Sequence, residues 1–276
     1  MFYFYNQTIT ILKYISSKNN PIYKKTYKLS NNSRFRKKNN LFIVEGLEKI
    51  ELAIENNFRL LEIIVCTELV SKEDFKEIFS KLKSTNSFDF SKNLFNSLVY
   101  SKKSDGVLAV VEGKEHSLNN FKLSKTPYIL VVESIEKPGN IGALLRTVDA
   151  AGMDGLIIAN PDTELYNPNT IRSSLGSIMT TQIAMDSSKN VIYFLKKNNI
   201  EIYSTFVKKS INYTDVNYSK SSAIVVGKES SSLSEIWREE SDKLIGIPMH
   251  GKMDSLNLSV CAAIVIFEGL KQRNGN

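Results

Sequence analysis

Two rhythms of apolar and polar positions run through most of the chain: short apolar runs that read as strands, and apolar residues recurring every three or four positions that read as helices. From Leu41 the sequence LFIVEGLEKIELAIENN gives a strand over Leu41 to Val44. A helix with Leu47, Ile50, Leu52, Ala53 and Ile54 at helical spacing follows. RLLEIIVCTEL predicts a second strand, KEDFKEIFSKLKS a second amphipathic helix, SKNLFNSLVYSK a third helix and SDGVLAVVEG another strand. These elements make a small α/β unit of roughly eighty residues, an ordinary size for a domain. Residues Lys114 to Thr126 are polar without a clear element and read as a linker.

Beyond the linker, YILVVESI is strongly β-prone. EKPGNIGALLRTVDAAGMDGLIIAN then predicts a turn, a helix from about Ile141 to Ala151, a stop at Gly152 and a strand over Gly155 to Ala159. NPNTIRSSLGSIMT adds a helix with Arg172 and Ser174 on its polar side and Gly176 allowing close packing. TQIAM, IEIYSTFV and AIVVG continue the strands, with NVIYFLKKNN as a helix between the first two. The β-α-β alternation predicts a mainly parallel sheet with crossover helices. The expected division is 1–40 as a basic arm, 41–116 as the small α/β domain, 117–126 as linker and 127–276 as the larger domain.

Charge is uneven. Nine Lys and Arg and no Asp or Glu fall in residues 1–40, so all of the net charge of +7 belongs to this segment. Tyr14, Tyr23, Tyr27 and Phe35 are interleaved with these cations, a mixture suited to tracking a phosphate backbone and stacking on bases. Lys24, Lys25, Arg34, Arg36 and Lys37 are accordingly the expected RNA contacts in the arm. A solvated Lys- and Asn-rich tail is the alternative. With Cys66 and Cys261 far apart and His116 and His250 the only histidines, neither a disulfide framework nor a zinc site is supported, and no metal is expected. Apolar runs fall short of the ~20 residues of a membrane span. The N-terminus lacks a small-residue cleavage site, so a cytoplasmic protein is expected, with organelle targeting as the weaker reading.

Candidate chemistry collects in three polar strand-end loops. The first is Gly139-Asn140-Ile141-Gly142, which lacks the third glycine of a dinucleotide fingerprint, and no phosphate loop is present either. Gly227 and the residues Lys228 to Ser234 form the second. The third and most informative runs from Ile247 to Ala263, IPMHGKMDSLNLSVCAA, in which Pro248 ends a strand, Gly251 permits a turn, and Ser255, Asn257 and Ser259 stand where an apolar helix begins. Ligands of parallel α/β sheets bind beyond the carboxyl ends of the strands, where these loops fall.

Together the loops resemble the motifs of the SpoU/TrmH family of RNA ribose 2′-O-methyltransferases, in the SPOUT class. The first motif is similar to Asn140-Ile141-Gly142-Ala143-Leu144-Leu145-Arg146-Thr147, the second to Ile224 through Glu229 with Leu233-Ser234, the third to Ile247-Pro248-Met249 through Ser259. Arg172, Ser174 and Gly176 resemble a further family segment, and residues 16–46 more loosely resemble an RNA-recognition domain. The second motif departs at Ser232, where the family carries glycine.

The resemblance implies a C-terminal SPOUT domain with a deep trefoil knot, S-adenosylmethionine as cofactor, a homodimer through that domain, and methylation of structured RNA. Ribosomal RNA is expected over transfer RNA because minimal tRNA-acting members lack the separate N-terminal domain. Transfer RNA methylation and a catalytically silent RNA-binding protein of the same fold are the alternatives. By the resemblance, Arg146 is tied most closely to catalysis, Asn140 helps to fix it, Glu229 orients the second loop, and Ser255 and Asn257 position the ribose. Backbone around Val226, Gly227, Ile247, Met249, Ser255 and Leu256 is implied to receive the cofactor, with Arg172 as a further RNA contact. An ordinary doubly wound oxidoreductase is disfavoured by the missing phosphate-binding glycines.

Overall fold

The computed structural model describes residues 2–3, 10–71, 73–76, 85–100, 104–227, 232–252 and 255–275. The chain divides into two compact units, Met1–Lys114 with Tyr166–Pro168, and Glu115–Leu165 with Asn169–Asn276.

Unit 1 holds an antiparallel pair, β1 (Phe2–Tyr3) and β2 (Thr10–Ile11), and a five-stranded mixed sheet. The elements of the latter, in chain order, are β3 (Lys13–Ile15), α1 (Pro21–Asn31), α2 (Ser33–Asn39), β4 (Leu41–Glu45), α3 (Leu47–Glu55), β5 (Leu60–Val65), β6 (Asn86–Phe90), α4 (Lys92–Asn96) and β7 (Val107–Glu112). The sheet order is β3-β6-β5-β7-β4, with β6 parallel to its neighbours and β7 antiparallel to its own.

The basic segment is not a free arm from Lys13 onward. Asn20 accepts the N–H of Ile22 at 2.9 Å and Pro21 opens α1, the residue types that start a helix. Tyr23, Thr26 and Leu29 then bury one side of α1, while its lysines stay at or near the surface. β6 is a second departure from expectation. Its sequence NSFDF is not expected as a strand, being short and without β-branched residues, yet it lies between β3 and β5. The helix expected over SKNLFNSLVYSK is limited to α4. Most of the helix expected over KEDFKEIFSKLKS lies outside the described residues.

Unit 2 is built on a parallel sheet. Its elements are β8 (Tyr128–Glu133), α5 (Pro138–Ala150), β9 (Gly155–Ala159), α6 (Pro168–Ser174), α7 (Ser177–Thr180), β10 (Ile183–Asp186), α8 (Ser188–Lys197), β11 (Glu201–Thr205), β12 (Ile211–Asn212), β13 (Ser222–Val226), α9 (Glu235–Glu240), β14 (Lys243–Gly246) and α10 (Leu258–Arg273). The seven strands run in the order β10-β9-β8-β13-β11-β14-β12, all pairs parallel. β8, β9 and β13 are buried along their whole length, as expected of strands covered on both faces.

Alternate side chains choose the covering helices. Ile129, Val131, Ala223 and Val225 join Val191, Leu195, Leu233 and Trp237 in one core cluster, so α8 and α9 lie on that face. Tyr128 faces the other way and donates its hydroxyl to the Ile266 carbonyl of α10 at 2.9 Å. α5 packs beside α10. The segment expected as a linker belongs to this unit: Leu118 and Phe121 are buried in the same cluster, and Phe121 meets Phe194 edge-on. Among the described residues no helix is long and apolar enough to cross a membrane, and no group of three His, Cys, Asp or Glu could hold a metal ion.

Candidate active site

The register of the parallel strands fixes where the three polar loops begin. Val132 lies opposite Val226, Val225 opposite Ser204, and Thr205 opposite Ile245. The residues at the strand exits, Glu133, Gly227, Phe206 and Gly246, therefore form one row at the carboxyl edge of the sheet. The loops after β8, β13 and β14 leave from that row, the ligand-binding edge of such a sheet. β14 stops at Gly246, so Ile247-Pro248-Met249 belongs to the loop, not to the strand as expected. A side chain at Gly246 would collide with the Phe206 carbonyl at 2.9 Å, and Pro248 has no N–H to continue a ladder.

The second loop is pinched at its base. A Cβ on Gly227 would lie 3.0 Å from the Leu233 backbone nitrogen and 3.2 Å from its Cγ, so the incoming and outgoing ends of the loop touch there. Val226 is buried, and Ser232 is exposed. Glu229, expected to orient this loop, lies outside the described residues. In the third loop Ile247 and Met249 are half-buried, and Ser255, Leu256 and Asn257 are exposed ahead of α10. Asn257 caps this helix, its Oδ1 accepting the Ser259 N–H at 3.0 Å and hydroxyl at 2.6 Å. Ser255 does not share that duty. Burial pushes the Cys261 thiol, one turn into the helix, up to about 11.

α5 begins at Pro138, a residue that opens helices, so Gly139 to Gly142 form its first turn and not the strand-end loop expected; Asn140 lies in that turn and Arg146 six residues later. That spacing sets them roughly 120° apart around the helix and about 9 Å apart along it. Arg146 is exposed and forms no ion pair or hydrogen bond among the described residues. Gly142 between them is a packing residue: a Cβ there would overlap Ser173 Oγ and sit 2.6 Å from the Ser174 backbone nitrogen, because α6 lies directly against it. Thr170 Oγ1 donating to the Pro138 carbonyl at 3.1 Å and Thr180 Oγ1 to Asp149 at 2.7 Å continue that contact. The single helix expected over this segment breaks at Leu175 and Gly176, both at positive φ. Arg172 is exposed and donates to Asn169 at 3.0 Å, while Ser174 is fully buried.

One charged group in the exit row escaped the sequence reading. Glu133 is 5 % exposed and accepts from Ser188 Oγ at 2.6 Å, Ser234 Oγ at 2.6 Å, Ser234 N–H at 2.8 Å, Trp237 Nε1 at 2.9 Å and, more weakly, Asn160 Nδ2 at 3.4 Å. Burial alone would raise its carboxyl, but these donors outweigh burial and hold it below the usual carboxylate range. The signal in the sequence was an acid closing an otherwise apolar strand run, YILVVE.

In unit 1 the expected RNA contacts separate into two kinds. Lys24, Arg34 and Lys37 are exposed. Arg36 is 5 % exposed and donates to the Leu29 carbonyl at 2.7 Å, closing the end of α1, and Lys25 pairs with Glu62 at 2.8 Å. Alanine at Lys24, Arg34 and Lys37 together is therefore expected to lower RNA affinity and to reduce the slope of log affinity against log salt by about 2–3. Arg36→Ala is expected to leave that slope unchanged and to destabilise the protein by about 1–3 kcal/mol in a denaturant titration.

Residues 127–267 match the family model described as the SpoU rRNA Methylase family, and this span is more than half of the chain. The chain belongs to that family. Residues 20–109 match the MRM3-like substrate binding domain. A relative in Bacillus subtilis strain 168, the 23S rRNA (guanosine(2553)-2′-O)-methyltransferase RlmP, is 26 % identical over 252 residues, covering 91 % of this chain and 96 % of its own length. The 23S rRNA (uridine(2479)-2′-O)-methyltransferase of Streptomyces viridochromogenes is 25 % identical, covering 84 % and 83 %. A crystal structure of an RNA 2′-O ribose methyltransferase superposes with a TM-score of 0.80 at 30 % identity, over 95 % of this chain and 99 % of that one. AviRb of Streptomyces viridochromogenes, solved with AdoMet, shares the fold, with a TM-score of 0.85 at 24 % identity over 94 % of this chain and all of that one. The two family models thus fall one in each unit, the SpoU model in unit 2 and the substrate-binding model in unit 1.

Proposed function

We propose that this protein uses S-adenosylmethionine to methylate a ribose 2′-hydroxyl in structured ribosomal RNA, acting in the cytoplasm as a homodimer joined through unit 2. The observation carrying this reading is that α5 and the two loops resembling the family motifs all follow strands that end in one row at the carboxyl edge of a parallel sheet. Support for ribosomal over transfer RNA comes from the relatives named for 23S rRNA, which match across both units. In this proposal the loops after β13 and β14 thread into the trefoil knot that the family resemblance implies.

The exit row fits the cofactor by its chemistry. The second and third loops that follow it would offer backbone groups at Gly227, Ile247 and Met249 and the apolar side chains of Met249 and Leu256, residue types suited to an adenine and an uncharged ribose. S-adenosylmethionine supplies a methyl group on a cationic sulfur, already activated toward an oxygen nucleophile. Val226, Gly227, Ile247, Met249, Ser255 and Leu256 would hold it, and Ser255 and Asn257 would place the ribose. The 2′-oxygen would take the methyl group from that sulfur, and the hydroxyl proton would leave to a neighbouring phosphate or to water. Arg146 is not the base, since a guanidinium stays protonated below about pH 12. Its exposed fork, without an ion pair among the described residues, suits a phosphate and the charge growing on the 2′-oxygen. Asn140 and Arg172 would line the RNA path, and Glu229 would orient the second loop.

Support for the homodimer comes from α10, which exposes Val260 and Phe267, each to 47 % and seven residues apart on one side of the helix. Phe267→Lys is expected to reduce the mass measured by light scattering from twice the 31.2 kDa of one chain to that of a single chain. An unchanged mass would rule out this face as the interface. The substrate class is tested by offering labelled S-adenosylmethionine with purified ribosomal or transfer RNA lacking the modification. Label in ribosomal RNA alone supports the proposal, and label confined to transfer RNA contradicts it.

A further inference from the structure

Glu133 stands in the exit row, but on the face covered by α8 and α9, where nothing in the proposed chemistry touches it. Two elements nonetheless send it donors: Ser188 from α8, and Ser234 and Trp237 from the start and body of α9. Ser234 is the informative partner. It occupies the N-cap of α9, where a serine hydroxyl ordinarily accepts an N–H of its own first turn, yet it makes no such bond. Its hydroxyl and its N–H both turn to the Glu133 carboxylate instead, tying the residue that leaves the second loop to the end of β8. The preceding residue, Leu233, is the one pressed against Gly227. The chain Glu133, Ser234, Leu233, Gly227 therefore runs from a buried carboxylate in β8 to the backbone at the exit of β13.

We propose that Glu133 is a positioning residue for the methyl-transfer reaction: by gripping Ser234 it closes the base of the second loop and sets the Gly227 backbone where the cofactor is received. The inference rests on the cofactor assignment made above. It differs from a purely structural role in being directional, since only the bonds to Ser234 lead to the loop, whereas the bond from Ser188 leads to α8.

Glu133→Gln separates these bonds with little change in shape. Oε1 takes the Ser188, Ser234 and Trp237 side-chain donors and Oε2 takes the Ser234 N–H. Hydroxyls can reorient to accept from an amide, but an indole N–H and a backbone N–H cannot. Keeping the oxygen toward Trp237 turns the glutamine NH₂ against the Ser234 N–H and releases the loop end.

The test is calorimetric titration of the full-length protein with S-adenosylmethionine, alongside RNA affinity. Glu133→Gln is expected to weaken cofactor binding about tenfold, the scale of one lost bond to a charged acceptor, with RNA affinity unchanged. Ser188→Ala, which removes a donor to the same carboxylate without touching the loop, is expected to keep cofactor affinity within about twofold even where it lowers the melting temperature. Should Glu133→Gln not fold, Ser234→Ala decides. That variant retains the backbone bond and is expected to weaken cofactor binding about threefold. Unchanged cofactor affinity in Glu133→Gln or in Ser234→Ala overturns the proposal, as does a Ser188→Ala loss equal to that of Glu133→Gln. Absence of cofactor binding by the unaltered protein would refute the cofactor assignment itself, and the positioning role with it.

Discussion

Replacement of Arg146 by alanine is expected to lower the rate of methyl transfer by about 10²–10³-fold while leaving S-adenosylmethionine affinity within about twofold, the pattern of an interaction made mainly in the transition state. The reason lies in its surroundings. Arg146 sits on α5, exposed and without an ion pair among the described residues, so no described acid neutralises its charge. A 2′-hydroxyl carries little charge before reaction and much more as its proton leaves, so a fixed guanidinium gains strength along the reaction coordinate. Lysine at the same position keeps the charge but loses the planar fork, and is expected to recover no more than about a tenth of the activity. Rates measured at saturating cofactor, with cofactor affinity measured separately, distinguish this from a binding defect. A loss confined to cofactor affinity would remove Arg146 from the chemistry.

The second large effect concerns stability, and its sign is set by competition. Glycine to alanine within a helix ordinarily stabilises by up to about 1 kcal/mol. At Gly142 the new methyl would overlap Ser173 Oγ and meet the Ser174 nitrogen at 2.6 Å and the Ser173 carbonyl carbon at 2.8 Å. The last two are backbone atoms and cannot rotate away, so α5 and α6 must separate. Overpacking of this kind costs about 1–3 kcal/mol. The clash outweighs the propensity gain, and Gly142→Ala is expected to lower the melting temperature by about 2–4 °C for each kcal/mol lost. Gly139, three residues earlier in the same helix, has nothing within 4 Å of the place a Cβ would occupy, so Gly139→Ala is expected to be neutral or stabilising. Equal melting temperatures for the two variants would show that α6 yields to the methyl without cost.

The same region shows what could be read before the structure was known. The strands β8 and β9 and the helix between them were legible because YILVV and GLIIA are uninterrupted apolar runs and Gly152, at φ 61°, ends the helical pattern. The second and third polar loops were legible as strand ends, and the parallel register puts their starting points on one row with the end of β8, whereas Gly139 to Gly142, read as a loop, open α5. Less visible were elements whose sequence signal is diluted. Lysines mask the buried side of α1, and β6 is short and lacks the β-branched residues that mark the other strands of its sheet. Burial of a charge leaves no mark at all in the pattern: Arg36 and Lys37 look alike in sequence, but one closes the carbonyls of α1 and the other faces solvent. Glu133 was missed for the reverse reason. An acid after five apolar residues reads as the point where a strand meets water, whereas five donors from distant segments keep it buried and ionised.

The central claim is that the methyl group goes to a ribose 2′-oxygen, and the most direct measurement is the fate of that group under alkali. RNA labelled by the protein from S-adenosylmethionine would be hydrolysed completely and its fragments separated. A 2′-O-methyl blocks attack of that oxygen on the adjacent phosphate, so the account predicts label in an alkali-resistant dinucleotide from one linkage. Label released in single nucleotides would place the methyl on a base and contradict the account.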